Sequence, residues 1–332
     1  MILVVLGLVA FAAALWVFTA LCVRVIEARF PIIGQRVVAA PGAPAIHLVE
    51  RAPLGAERGA VLLVHGASGN FADMDVVLSA PLTAQGFRVF AVDRPGHGWS
   101  ERLAGDTASD PSAQGAALRA ALAARGVSRA IVVVHSLAGV LGLAMALDAP
   151  EFVRALVLIS PVSHPWPGGV AAYYHVAASR VFGPAFRYLL VMPAGLARMR
   201  SGVREVFSPN PIPANYVVAT RTPLVLRPPH FRANAEDVVA TEGHVATLSP
   251  RYPTIRASTA IVSGDSDRVV YTHIHSVGCA RDIPGATLTM LPGVGHSPHH
   301  VAPGAIVAAV LEVEARAARE VHPAPGSASV PG

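Results

Sequence analysis

Six short runs rich in valine, isoleucine and leucine recur along this chain, at residues 60–64, 88–92, 130–134, 155–159, 259–265 and 287–293. Stretches with the apolar spacing of helices lie between or after them, at 73–85, 112–125, 137–147 and 305–319. Runs that are apolar on both faces of an extended chain can be buried only in a sheet covered on both sides, and helical crossovers between them make neighbouring strands parallel. The expected fold class is therefore α/β, a mostly parallel central sheet with helices on both faces.

The alternation breaks at "SPVSHPWPGG". Residues 161–258 are rich in proline, aromatics and arginine and far exceed an ordinary loop, so they are read as a mostly helical insertion lying over the strand ends. Ahead of the first run, "RVVAA" and "AIHLVE" flank "PGAP" and suit a leading β-hairpin.

Ligands of an open α/β sheet sit beyond the carboxyl ends of its strands. Five of those ends carry reactive or positioning groups: "HGASGN" after Val64, "DRPGHGWS" after Val92, "HSLAG" after Val134, "SGDSDRVV" after Val262 and "PGVGHSPHH" after Leu291. Ser136 stands where a strand joins a helix. A serine hydroxyl is a poor nucleophile at neutral pH until an imidazole removes its proton, and the imidazole needs a carboxylate to fix its tautomer. His296, between Gly295 and Ser297, is the candidate base, and Asp265 and Asp267 are the candidate acids. The acid that is not used has an ordinary role as a turn residue accepting backbone N–H groups.

In this order, nucleophile then acid then histidine, the five motifs resemble the α/β-hydrolase superfamily, specifically its cap-bearing Ser-Asp-His members, over about residues 36–319. The resemblance implies Ser136 as nucleophile, Asp267 as acid and His296 as base. It chooses Asp267 because Gly264, Asp267 and Val270 reproduce the family's spacing of glycine, two residues, aspartate, two residues, valine. It also implies an oxyanion hole from the backbone N–H groups of Leu137 and Ala67, with His65 and Gly66 as positioning residues, a helical cap at 161–258 and no cofactor. His97 and His135 are read as structural.

The serine's surroundings depart from the usual G-x-S-x-G turn, where glycines relieve crowding as the strand bends sharply into the helix. Here Val134 and Ala138 replace both glycines, and Gly139 follows. Ala138 adds one methyl. Val134 adds a branched side chain that either pushes its strand outward or is taken up by a small neighbour such as Gly142, and overpacking typically costs about 1 to 3 kcal/mol. The turn is expected to survive, with activity open to reduction.

Hydrophobic residues make up 53% of the chain, concentrated at its start. Residues 1–23 hold no charged side chain and are long enough to span a bilayer as a transmembrane anchor. "FTALCVRV" offers no convincing cleavage site for a signal peptide. Arg24, Arg29 and Arg36 against Glu27 place the main domain in the cytoplasm by the positive-inside rule. The net charge of +5 is carried by arginine alone, with no arginine run interleaved with aromatics, so nucleic acid is not expected as a partner.

Cys22 and Cys279 are too few and too distant for a structural disulfide framework. The histidines at 273, 275, 296, 299 and 300 match no zinc signature, so no metal is expected, and His299 and His300 are read as lying near the site's rim. Within the insertion, "YLLVMPAGLARMRSGVREVF" mixes apolar residues with Arg198, Arg200 and Arg204. It reads either as an amphipathic cap helix over an apolar pocket or as a lid on the membrane surface. Trp166, Tyr173, Tyr174 and Phe207 are candidate pocket residues. The tail 320–332, containing "HPAPGSASVPG", has the composition of a disordered segment.

The function expected from these readings is a membrane-anchored serine hydrolase cleaving a carboxylic ester or thioester of an apolar, lipid-like acyl substrate through an acyl-enzyme. Acyl transfer, perhydrolysis and carbon–carbon hydrolysis would use the same triad. A catalytically silent scaffold that binds a ligand or partner at the membrane is the alternative of a different class. Dehalogenase and epoxide hydrolase chemistry needs a carboxylate where Ser136 stands.

Overall fold

The computed structural model describes residues 1–321. Its single sheet contains β1 (Gln35–Val37), β2 (Ile46–Arg51), β3 (Gly59–Val64), β4 (Phe87–Val92), β5 (Ala130–His135), β6 (Val153–Ile159), β7 (Ser258–Gly264) and β8 (Thr287–Leu291). The strand order is β1-β2-β4-β3-β5-β6-β7-β8. The first two strands form the antiparallel hairpin, β2 also runs antiparallel to β4, and all other pairs are parallel.

Helix α1 (Ile2–Arg29) precedes the sheet. The helix expected at 73–85 is instead α2 (Phe71–Met74), a π-helical segment at Asp75–Ser79 and α3 (Ala80–Ala84). Pro81, inside α3, has no N–H to donate one turn back, which removes an α-helical bond at this point. Then come α4 (Pro111–Ala123) and α5 (Ala138–Asp148). The insertion between β6 and β7 holds α6 (Ala172–Ala178), α7 (Gly183–Leu189), α8 (Val191–Phe207), α9 (Tyr216–Ala219) and α10 (Pro228–Leu248). The chain ends in α11 (Ser276–Asp282), α12 (Pro298–Val301) and α13 (Pro303–Val321). This last helix passes residue 319, and the remainder of the tail, 322–332, lies outside the described residues.

Alternation along each strand divides the core into two layers. Leu62, Val64, Val132 and Val134 face Leu118 and Leu122 of α4 and Leu141 and Met145 of α5. Val61, Leu63, Ile131 and Val133 face Phe71 and Met74 of α2 and Val310 and Val313 of α13. Each such side chain, fully removed from water, contributes about 1.5 to 3 kcal/mol.

Register places the motifs side by side. Val64 pairs with both Val92 and Val134, so His65, Asp93 and the pair His135–Ser136 emerge at the same edge of the sheet.

Among the described residues, α1 is the one helix long and apolar enough to cross a membrane, and most of its first eighteen residues are exposed. At about 1.5 Å per residue it is about 42 Å long, more than a hydrocarbon core of about 30 Å requires. It continues past the apolar stretch because its last turns are held by the cap. Ile26 and the following Phe30 pack with Val191, Met192, Leu224 and Leu226, and Glu27 Oε1 accepts from Arg227 Nη1 at 3.1 Å.

Candidate active site

Ser136 lies between β5 and α5 with φ of +53°, the left-handed region that side chains other than glycine rarely adopt. Its N–H donates to Ile159 O at 2.9 Å, and its carbonyl accepts from the N–H of Gly139 and Val162 at 2.8 and 2.9 Å. These bonds hold the strained turn. Two neighbours must be glycine for the chain to pass so closely: a Cβ on Gly66 would meet Ser136 Cβ at 2.9 Å, and one on Gly139 would meet Pro161 Cβ at 2.7 Å. Val134 is fully buried, with Gly142 providing the space it occupies: a Cβ there would lie 2.9 Å from Val134 Cγ2.

His296 Nε2 lies 2.8 Å from Ser136 Oγ, and His296 Nδ1 lies 2.7 Å from Asp267 Oδ2. Asp267 Oδ1 accepts the N–H groups of Val269 and Val270 at 2.8 and 3.0 Å. Burial alone would raise the Asp267 carboxyl, but its hydrogen bond with His296 and these N–H groups hold it below the usual carboxylate range. Asp265 is exposed and accepts the N–H of Gly293 at 2.8 Å, away from His296. The structure thus brings together the three groups the resemblance selected.

Leu137 follows Ser136 directly, and Ala67 lies on the turn after β3; among the described residues neither N–H is taken by a backbone acceptor. His65 Nδ1 donates to Gly66 O at 2.8 Å, and its Nε2 accepts the N–H of Arg94 at 3.1 Å, which fixes its tautomer and the turn. Burial, with the nearby Arg94 charge, pushes His65 down to about 4, so it is neutral at physiological pH. His97 is buried and accepts from Arg94 Nη2 at 3.0 Å.

Sequence reasoning missed the residues that brace this site from a distance. Asn234, on α10, accepts the Ser68 N–H at 2.6 Å and so clamps the turn that carries Ala67. Asp93 accepts from the N–H groups of Phe71 and Trp99, both at 2.8 Å, and contacts His47 Nδ1 at 2.6 Å. A Cβ on Gly98 would collide with the Asp93 carboxylate, the one local sign in "DRPGHG" that the two must touch.

Asp73 accepts from Tyr216 Oη at 3.0 Å, His300 Nε2 at 3.0 Å and His299 Nε2 at 3.2 Å. His299 is therefore buried against His135, and His300 is half-buried beside it with its ring turned inward, instead of lining a rim, because α12 turns both rings toward Asp73. The ring of His299 lies 4.3 Å from that of His135, and His135 Nε2 donates to His296 O at 2.9 Å. Asp73, His299 and His300 present ligand atoms within 4.8 Å of one another, a donor set that suits zinc or iron. A metal-bound imidazole uses its second nitrogen to donate to an outer partner, whereas His299 Nδ1 is buried without one. The cluster reads as a carboxylate satisfied by three donors.

Of the aromatic candidates for a pocket, Phe207 packs on Tyr216 and His300, beside this cluster. Trp166 meets His275 edge-on, and Tyr173 packs on Tyr174 and on Phe231 next to the α1 contact.

The profile of the alpha/beta hydrolase family matches residues 61–310. The magnesium-chelatase 30 kDa subunit of Rhodobacter capsulatus is 30% identical over 256 residues, covering 76% of this chain and 85% of that protein. The enol-lactonase of Burkholderia xenovorans superposes with a TM-score of 0.63 at 21% identity over 83% of this chain and 98% of its own. A bacterial membrane phospholipase A superposes with a TM-score of 0.61 at 20% identity, over 96% of this chain and 99% of its own.

Proposed function

The chain belongs to the alpha/beta hydrolase family, and from that premise we propose that it is a membrane-anchored serine hydrolase cleaving a carboxylic ester or thioester of an apolar acyl substrate. One observation carries the reading: a continuous, buried run of hydrogen bonds from Ser136 Oγ through His296 to Asp267.

In the proposed reaction Ser136 Oγ attacks the acyl carbon while His296 Nε2 takes its proton, and Asp267 holds the Nδ1–H and steadies the imidazolium. The charge that develops on the carbonyl oxygen falls to the N–H groups of Leu137 and Ala67. Losing one such donor costs about 3 kcal/mol of barrier. His296 then returns the proton to the departing alcohol or thiol as the bond to it breaks, leaving an acyl-Ser136 ester. Water, deprotonated by His296, attacks that ester; the bond to Ser136 Oγ breaks, His296 returns the proton to Oγ, and the acid is released.

Helix α1 is proposed as the membrane anchor, with Arg24, Arg29 and Arg36 holding the catalytic domain on the cytoplasmic side. The packing of Ile26 and Phe30 against the cap supports its retention in the working protein.

The test is intact-mass detection of a fluorophosphonate adduct on the detergent-solubilised full chain. A single adduct that disappears in Ser136→Ala and forms far more slowly in Asp267→Asn is expected. Absence of an adduct on folded protein would refute the reading and turn the search to ligands of a silent scaffold.

A further inference from the structure

The turn between α6 and α7 is an apolar tip in water. Val181 is 76% and Phe182 71% exposed, side by side in the chain, and Tyr188, Leu190 and Leu196 in the segment that follows are exposed as well. Such residues on a soluble surface are ordinary singly, but contiguous they mark a contact. Arg180 stands beside the tip; its pairing with Asp106 at 3.3 Å joins two almost fully exposed side chains and is too weak to occupy it.

Two further observations say what this surface meets. First, α7 packs on α1 together with the start of α8: Phe186 joins the cluster that Ile26 and Phe30 form with Val191 and Met192. The tip therefore leads into a cap helix that touches the apolar helix. Second, the charge of the cap is lopsided. Residues 161–258 hold ten arginines against four acidic residues, an excess larger than the +5 of the entire chain, and Arg198, Arg200 and Arg204 are all exposed. An apolar tip with Arg180 beside it, on a cap that carries an excess of arginine, is the chemistry of an interfacial contact with anionic lipid.

We propose that the α6–α7 turn, with Val181 and Phe182 at its tip and Arg180 beside them, is seated in the headgroup region of an anionic leaflet adjoining α1. The cap is then the membrane-facing side of the catalytic domain, held there by the anchor on one flank and the tip on the other. This rests on the reading of α1 as a membrane span.

The test uses the full chain with Cys22→Ala and Cys279→Ala, reconstituted in phosphatidylcholine vesicles with and without phosphatidylglycerol. An environment-sensitive NBD label is attached in turn through Phe182→Cys, Val9→Cys within α1, and Glu57→Cys, exposed at the opposite end of the strands. A blue shift and loss of iodide quenching at position 182, stronger with phosphatidylglycerol and absent at 57, is the expected result. A lipid-embedded label at 9 with a water-exposed one at 182 would overturn the proposal while leaving the anchor intact, whereas water exposure at both would overturn the anchor as well. A blue shift at 182 that grows with protein concentration without lipid would assign the tip to a second copy of the chain and overturn it too.

Discussion

Gly142 stands directly over Val134: a Cβ at 142 would come within 2.9 and 3.0 Å of the two Val134 methyls and 3.2 Å of Leu156 Cδ1. The glycine missing from the strand side of the serine turn has its counterpart on the helix side. Val134→Gly is therefore expected to open a cavity instead of relieving strain, costing about 2 to 4 kcal/mol without raising turnover. Gly142→Val should cost at least as much by overpacking. Urea denaturation of both variants checks this, and a faster Val134→Gly enzyme of unchanged stability would contradict it.

Asp73, on α2, ties that helix to α12, which follows directly on the loop that carries His296, through His299 and His300. Burial would raise its carboxyl, but hydrogen bonds and charge from His299 and His300 hold it well below the usual range. Hydrogen bonds to a charged group contribute about 1.5 to 3 kcal/mol each, so Asp73→Ala should lose about 3 kcal/mol or more of stability. The milder Asp73→Asn keeps an acceptor and should fold, with kcat lowered about tenfold or more and KM little changed, because the base is misplaced and the acyl site is not. Unaltered kcat in a folded Asp73→Asn would show that His296 needs no such brace.

The strands and the three groups around Ser136 were legible for the same reason. Strands β3 to β7, buried on both faces, write themselves as apolar runs, whereas the edge strand β8 is partly exposed, and residues at the carboxyl ends of all of them converge whatever the intervening length. Asp73 was not legible, since its partners lie 226 and 227 positions away on a helix of one turn. Nothing in "FADMD" distinguishes its first aspartate from its second, although Asp75 pairs outward with Arg51. The reach of α1 beyond residue 23 was hidden likewise: Glu27 looked like the end of an apolar segment until Arg227, 200 positions on, supplied its partner.

Acid should unfold this protein through its buried histidines. His65 and His275 are pushed down to about 4, chiefly by burial, against 6.5 for the free side chain. Burial likewise holds His97, His135 and His230 well below that value. Below pH 6.5 the unfolded chain takes up protons that the folded one refuses. Stability is thus complete above about pH 6.5 and falls as the pH drops towards 4, by about 3 kcal/mol for the wholly buried His65. Urea midpoints measured at pH 7.5 and 5 should differ accordingly, and His275→Gln should flatten the slope. A midpoint independent of pH over that range would rule the mechanism out.

Arg94 and Asp237 join the end of β4 to cap helix α10 through a buried pair, Nη1 to Oδ2 at 2.7 Å, with side chains 2% and 3% exposed. Asp237 also receives Arg102 at 2.7 Å and Gln114 at 3.0 Å, so its removal strands a fully buried guanidinium. Breaking such a pair from one side costs about 3 to 5 kcal/mol, whereas replacing both partners by apolar residues of similar volume is often neutral. Asp237→Ala should therefore be strongly destabilised, and the double variant Arg94→Met, Asp237→Leu should recover much of the loss. Because Asn234, one turn earlier on α10, holds the Ser68 N–H, loosening this helix also frees the turn bearing Ala67. Fluorophosphonate labelling of folded Asp237→Asn is then expected to slow, through a less ordered oxyanion donor, while Ser136, His296 and Asp267 stay in place. Full-rate labelling in a variant whose urea midpoint has dropped would separate the two effects and show that the pair supports only the fold.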